Sequence, residues 1–307
     1  MSVPALSIDR CSKIYNQGSS DSFKAVSDVS FSIAQGDFTV LLGLNGAGKT
    51  SLIRMITGLS TITQGEIRIF GKDLVRDTFE AKKLLGVMPQ EVNFNPFLSI
   101  MDTLVFYGGY YGLSRDFIEH HAEPLLKKAR LWDKRDTLVS GLSGGMKRMV
   151  MLIRTLVTQP KLVILDEPTA NLDMEIREII WRLLRSLHSN GVTVLLTTHN
   201  LVEAQALCDN IVIIHHGNLV LNNKIKDAIT ELDEHFFTIS LDGHSDGLTQ
   251  LDMRHAKLLD GHKLMVRITR ENKLADYLAQ LARLGINYHS IAPSNNQLEQ
   301  ILKKAIV

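Results

Sequence analysis

The sequence predicts an α/β fold, a mostly parallel sheet covered by helices on both faces, with a small α+β module behind it. Three observations carry that prediction. Continuous apolar runs recur, "FTVLL" (Phe38 to Leu42), "KLVIL" (Lys161 to Leu165) and "VTVLLTT" (Val192 to Thr198); runs of this kind are strands buried on both faces. Segments with apolar residues at i, i+3 and i+4 separate them, and strands alternating with such helices imply parallel pairing. After about Leu232 the texture changes to shorter strand-like and helix-like pieces.

Each element follows from its residues. "VSFSI" (Val29 to Ile33) alternates apolar and small polar residues, as a half-buried strand does, and Gly36-Asp37 turns the chain into the first buried run. "LLGVM" (Leu84 to Met88) reads as another buried strand. The stretch Val92 to Ser114 is apolar, with Asp102 its only charge, but Asn95-Pro96 and Gly108-Gly109 cut it into pieces too short to span a membrane. Ser143 offers an N-cap hydroxyl to a helix whose apolar face is Met146, Met149, Val150, Ile153 and Val157, and Pro160 stops the chain just past its end. Ile176, Ile179, Ile180, Leu183 and Leu187 make a second apolar face, closed by Gly191. "NIVIIHHGNLVL" predicts a hairpin turning at His216-Gly217. Further on, "HFFTISL", "HKLMVRIT" and "INYHSIA" predict strands, and "ENKLADYLAQLARLG" and "NQLEQILKKAI" predict helices. Two domains are expected, residues 1–232 and 233–307.

At 307 residues the chain is long enough to bury a sizeable core. Lys and Arg total 34 against 33 Asp and Glu, so no basic excess marks a nucleic-acid partner, and none is expected. Cys11 and Cys208 are far apart and lack metal-ligand spacing, which reads as two reduced, buried thiols. The 11 histidines include no pair at metal-binding spacing backed by further ligands. No leader with a charged start and an apolar run opens the chain.

The chemistry is concentrated in a few motifs. "GLNGAGKT" (Gly43 to Thr50) fits G-x-x-x-x-G-K-[ST] and follows a buried strand, the context a phosphate-binding loop requires. Its glycines let backbone N–H groups face the phosphates, and the next helix presents its positive end. Lys49 would reach the β- and γ-phosphates and Thr50 would ligate Mg²⁺. "LVILDEPT" ends a buried strand in two carboxylates. Asp166 would hold Mg²⁺ through its water shell, and Glu167 would orient or deprotonate the attacking water. Charges at the end of so apolar a strand need partners. Lys49, Gln90, Asp166 and His199 each lie just past the carboxyl end of a predicted buried strand, the edge where open α/β sheets bind ligands. The Gln90 amide could contact Mg²⁺ or the water, and His199 the γ-phosphate. A second Gly-rich element, "LSGG" (Leu142 to Gly145), has no Lys-Thr pair or carboxylates of its own. It reads as a half-site in which Ser143, Gly144 and Gly145 donate to a phosphate held elsewhere.

"GLNGAGKT", Gln90, "LSGGM", "LVILDE", "NLD" and His199, in that order, resemble the ATP-binding subunit of ABC transporters, over roughly residues 5 to 225. The resemblance implies a P-loop NTPase fold of the ABC type: a mixed, largely parallel sheet, an antiparallel β subdomain and a helical subdomain over about 91–158. It implies ATP and Mg²⁺ as cofactors, with Leu44, Asn45, Gly46, Ala47, Gly48 and Ser51 joining Gly43, Lys49 and Thr50 around the phosphates. By the same match Tyr15 in "KIYNQG" would stack on adenine, and Asp173 would sit in a loop communicating between sites. Two copies would pair head-to-tail as a homodimer, each Ser143 loop capping the partner's nucleotide.

"LSGGMKR", "EVNFNPF", "FYGGYYGL" and "LWDKR" carry a finer resemblance to the ATPases of ABC-2-type exporters. This implies a separate transmembrane permease and a peripheral, cytoplasmic position on the inner (plasma) membrane. Met146 stands where many relatives have Gln, and Leu44 where Pro is common. The alternative, a soluble ABC ATPase acting on ribosome or DNA, lacks support: no second phosphate loop follows Thr50, and no coiled coil separates Gln90 from Ser143. Phe94, Phe97, Phe106, Tyr107, Tyr110 and Tyr111 are expected either to fill the helical subdomain's core or to anchor a helix of a membrane partner.

Overall fold

The computed structural model describes residues 3–232, 234–242, 253–260, 262–269, 272–293 and 297–306. The chain divides into two compact units, Met1–Lys224 and Ile225–Val307.

In the first unit a six-stranded sheet runs β6 (Leu85–Met88), β7 (Leu162–Asp166), β8 (Thr193–Thr197), β3 (Phe38–Leu42), β9 (Asn210–His215), β10 (Asn218–Lys224). The first five are parallel and β10 closes the edge antiparallel. Every residue of β3 and β8 is buried. A central strand covered on both faces has no wet side, which is why these segments read as continuous apolar runs. The β9–β10 hairpin turns at His216-Gly217, both at positive φ (46° and 77°), as a two-residue primed turn requires.

A second sheet, antiparallel, runs β2 (Phe23–Ile33), β1 (Leu6–Tyr15), β4 (Gln64–Ile69), β5 (Lys72–Asp73). Its Leu6, Ile8, Phe31, Ile33, Ile67 and Ile69 share one core with Leu41, Leu52, Ile56, Leu195 and Val212 of the central sheet and of α1 (Lys49–Ile56). Periodicity does not announce β1, because the register shifts between Ile8 and Cys11 and again before Lys13, and Arg10 sits at φ +45°. Such bulges break the strict alternation by which strands are recognised. Both thiols are buried, and burial pushes that of Cys11 up to about 11.

After the short α2 (Thr78–Lys83), the helices α3 (Ile100–Gly109), α4 (Arg115–Lys128) and α5 (Gly144–Leu156) each begin at a serine. Ser99 accepts from Asp102 N–H (3.1 Å), Ser114 from Phe117 N–H (3.2 Å) and Ser143 from Met146 N–H (3.3 Å). Each bond satisfies one of the orphan donors of a first turn, worth roughly 1 kcal/mol. None of the six aromatics of Val92–Ser114 is fully buried. The core of α3 is Ile100, Met101, Thr103, Leu104 and Gly108, and the 3.6-residue period turns Phe106 and Tyr110 to solvent. Phe94, Tyr107 and Tyr111 are half-buried, and the first two flank the Arg154 guanidinium at 5.2 and 4.9 Å. The core expectation therefore fails for Phe97, Phe106 and Tyr110, which are exposed. Among the described residues no helix is long and apolar enough to cross a membrane.

α6 (Met174–Ser189) and α7 (Leu201–Leu207) complete the first unit. The second holds α8 (Ile225–Thr230), β11 (His235–Leu241), β12 (Ala256–Asp260), β13 (Lys263–Ile268), α9 (Leu274–Arg283), β14 (Tyr288–Pro293) and α10 (Gln297–Ile306). Its antiparallel sheet, in the order β12-β13-β11-β14, has its own core of Ile239, Leu241, Leu264, Val266, Tyr277, Leu281 and Ile286. α8 packs against α10.

Candidate active site

A cavity of about 670 Å³ lies among the loops that leave the carboxyl ends of β3, β6 and β7. Asn45 to Ser51, Gln90, Asp166 and Glu167 line it on these loops, and Phe23, Lys24, Ala25, His216 and Gly217 line it from β2 and the β9–β10 turn.

The loop between β3 and α1 has its shape dictated by crowding. Gly48 sits at φ +104°, and a Cβ there would come within 2.5 Å of the Ala25 carbonyl oxygen; one on Gly43 would come within 2.3 Å of that of Ile214. The backbone threads between β2 and β9, fastened by Gly217 N–H to Ala47 O (2.9 Å) and Ser27 N–H to Gly217 O (2.8 Å). Only glycine fits such a passage. Lys49 folds back to donate to the carbonyls of Gly43 (2.7 Å) and Leu44 (3.1 Å), so its ammonium sits inside the arch that the loop makes. Burial holds its pKa below the usual lysine value, while Glu167 and Asp166 pull the other way.

The two carboxylates are fixed differently. Asp166 ends β7 opposite Thr197 of β8, and the Thr197 hydroxyl donates to its Oδ1. At Glu167 the backbone flips to φ +49°, and its N–H is caught by the carbonyl (3.0 Å) and hydroxyl (3.2 Å) of Thr197. A left-handed glutamate costs about 1–3 kcal/mol. That turn breaks the strand's course and puts the Glu167 side chain at the cavity wall. Glu167 Oε2 lies 3.1 Å from His199 Nδ1, the carboxylate side chain 21% exposed and the imidazole 73%. His199 is placed by the cap that follows it: Asn200 Oδ1 accepts from Val202 (3.1 Å) and Glu203 (3.3 Å) N–H and starts α7.

One buried cation knits these loops. Arg148 of α5 is 4% exposed. Its guanidinium donates to the carbonyls of Pro168 (3.0 Å), Asp166 (3.0 Å) and Pro89 (3.3 Å), and to those of Gln90 and Glu167. Burial lowers its pKa, opposed chiefly by Asp166 and Glu167.

A phosphate loop, a carboxylate pair and a histidine at one sheet edge are the parts of a nucleotide hydrolase, and known proteins agree. The ABC transporter family matches residues 26–170. The chain is 40% identical to a Nod factor export ATP-binding protein I of Paraburkholderia xenovorans, over 72% of this chain and 71% of that one. To the protein of that name from Bradyrhizobium diazoefficiens it is 39% identical, over 74% and 73%. The chain belongs to the ABC transporter ATPases. Among solved structures, an ATP-binding subunit of an ABC transporter superposes with a TM-score of 0.68 at 29% identity, covering 74% of this chain and 92% of that one. A dimeric ATP-binding cassette in a post-hydrolysis state, bound to ADP and Pi, gives 0.65 at 25% identity, over 72% and 98%.

In this ABC ATPase, most residues singled out from the sequence converge. Asn45, Gly46, Ala47, Gly48, Lys49, Thr50, Ser51, Gln90, Asp166 and Glu167 share the cavity. Gly43 and Leu44 reach it through the carbonyls that hold Lys49, and His199 through Glu167. Tyr15 stands one layer back, its hydroxyl donating to Ser51 Oγ (3.3 Å). Ser143, Gly144, Gly145 and Asp173 are not among its lining residues; Ser143 caps α5, and Asp173 caps α6 by accepting from Ile176 N–H (2.9 Å). Sequence reasoning missed Thr197, Arg148, Phe23, Lys24 and His216. For Arg148 a signal existed: the five residues after it, "MVMLI", are all apolar, so the helix is buried around it and a charge there needs partners.

Proposed function

We propose that this ABC ATPase hydrolyses MgATP as a head-to-tail homodimer and drives a separate permease for export. What carries the reading is the separation of its two Gly-rich elements. The cavity gathers Lys49, Thr50, Gln90, Asp166 and Glu167, residues that would serve phosphate, metal and base, whereas Ser143-Gly144-Gly145, at the start of α5, is not among its lining residues and has no such set beside it. A helix N-terminus of this kind is of use to a phosphate bound on another copy. Leu44 in the loop after β3, and Met174 and Val202 in the first turns of α6 and α7, are exposed apolar side chains that would give the same edge a surface suited to burial against a partner. Asp173, beside Met174, would lie on that surface.

The oxygen donors fit Mg²⁺. Thr50 hydroxyl, Gln90 amide and Asp166 carboxylate border one cavity and are hard ligands. Among the described residues no cluster of three or more His, Cys, Asp or Glu could hold an ion alone, so phosphate oxygens would complete the shell. Bound there, Mg²⁺ would supply positive charge to the β- and γ-phosphate oxygens. Lys49 and the N–H groups of Gly43 to Thr50 would bind the phosphates, and Gln90 would orient the water. Glu167 would take its proton, with His199 holding Oε2 so that Oε1 faces the water.

Export rests on the relatives, which are named export ATP-binding proteins. The exposed Phe97, Phe106 and Tyr110, just beyond Gln90, offer anchors for a permease helix, which would hold the chain at the cytoplasmic face of the membrane. Residues 233–307 would serve as an accessory domain, and no nucleic acid is involved. The test is co-purification. Tagged Glu167→Gln held in MgATP and extracted gently from native membranes should bring down a stoichiometric polytopic protein; ribosomes or DNA in its place would replace this reading with the soluble one. A second expectation concerns the half-site. Ser143→Arg should silence hydrolysis in the partner's cavity, so a mixed dimer with wild type keeps at most one working site. Two fully active sites in that mixture would refute the head-to-tail arrangement.

A further inference from the structure

A carboxylate with no part in the chemistry above lies wholly inside the core. Glu203 of α7 is 0% exposed, on the helix face that also buries Ala204 and Leu207. A carboxylate this deep is costly unless its oxygens are used, and here the use is lopsided. Oε1 accepts from the Thr169 hydroxyl (2.8 Å) and from the Trp181 indole N–H of α6 (2.9 Å), while Oε2 is buried with no partner among the described residues. The charge of Glu203 joins those of Asp166 and Glu167 in opposing the burial that lowers the Arg148 pKa.

Thr169 and Glu203 belong to two short turns, one led by Glu167 and the other directly following His199. The first runs from Glu167 to Ala170 and is closed by Ala170 N–H to Glu167 O (3.2 Å). The second opens α7: Asn200 Oδ1 accepts from Glu203 N–H (3.3 Å), and the Asn200 carbonyl from Ala204 N–H (3.1 Å). The same two stretches are thus joined twice, by Glu167–His199 at the cavity wall and by Thr169–Glu203 in the core. These joints differ in strength. The imidazole is 73% exposed, and a solvated pair holds its geometry weakly. Thr169 is 4% exposed, and a bond between groups so enclosed is much stronger. We propose that Glu203 is a positioning residue for hydrolysis, holding His199 in register with Glu167 through its buried bond to Thr169. Trp181 would keep Oε1 from turning away. The inference rests on the reading of Glu167 as base and His199 as its partner.

Steady-state ATP hydrolysis and urea unfolding of the full chain test it. Thr169→Val keeps the size of the side chain and removes the donor; kcat should fall roughly 10–10²-fold with the KM for ATP little changed. Glu203→Leu should do the same. Glu203→Gln, whose amide oxygen can still accept from both donors, should recover most of the rate. The deciding measurement is a double variant. With His199→Ala in place, Thr169→Val should slow turnover no further, because the pair it positions is gone. Additive losses from the two changes would make the buried bond a mere support of the core and overturn the proposal. Wild-type kcat in Thr169→Val would overturn it too, and so would Glu203→Gln as slow as Glu203→Leu, by putting the charge in place of the accepting oxygen. Wild-type turnover in His199→Ala alone would remove the reading of the Glu167–His199 pair itself, and the inference with it.

Discussion

Glu167→Gln is expected to slow ATP hydrolysis by about 10³-fold while leaving ATP affinity within a small factor of wild type. A positioned general base contributes roughly 10²–10⁴-fold, and the amide keeps the size and polarity of the carboxylate but cannot accept the proton. Binding should be spared because the groups proposed to hold the phosphates, Lys49 and the loop N–H donors, are on β3–α1 and not on the turn after β7. The φ of +49° at Glu167 is held by main-chain bonds to Thr197, which the substitution leaves intact. With binding intact and turnover stopped, the ATP-bound dimer should accumulate. Phosphate release and gel filtration with and without MgATP read the two effects. Hydrolysis within ten-fold of wild type would remove Glu167 from the role of base.

Arg148→Ala should be the most damaging change outside the phosphate loop. The side chain is almost wholly enclosed, and its fork serves carbonyls on both sides of the cavity, Pro89 and Gln90 on one and Asp166, Glu167 and Pro168 on the other. Truncation leaves a void and buried carbonyls without their donor. Each unsatisfied group costs about 1–3 kcal/mol, so a loss of at least about 3 kcal/mol in unfolding free energy is expected. Turnover should fall further than stability explains, because Gln90 and Glu167 lose their common tether. Arg148→Lys separates the two effects. A lysine keeps the charge but cannot span five acceptors with one nitrogen, so it should recover part of the stability and little of the rate. Urea unfolding beside steady-state hydrolysis on soluble variants makes the comparison, and a Lys variant with wild-type turnover would show that the fork geometry is irrelevant.

The sequence disclosed what is governed by local chemistry. β3, β7 and β8 were legible because a strand with no wet side must be apolar throughout, and the phosphate loop because its glycines answer to a shape. Asp166 and Glu167 were legible as charges at the end of a buried strand, and the structure supplies the partners such charges require, Thr197 and His199. What remained hidden depends on register and on contacts remote in sequence. β1 escaped notice because its bulges break alternation. Thr197 matters only because β8 lies beside β7 with that residue opposite Asp166. Phe23 becomes part of the cavity only when β2 folds back along β1, and nothing in "SDSFKAV" marks it. The aromatics after Gln90 were undecided between core and surface, since composition alone cannot say which way a helix is turned.

The position of Ser143 outside the cavity has a kinetic consequence. Under the head-to-tail reading neither copy can complete a turnover alone, so at high dilution the rate per millilitre should rise with the square of protein concentration. Fixing two copies to one permease converts that encounter into an intramolecular event at an effective concentration in the millimolar range. Under that reading the membrane partner would do more than receive the work of hydrolysis, since it would also set how often hydrolysis is attempted. A chain released from it would be close to idle, which would keep unassembled subunits from consuming ATP.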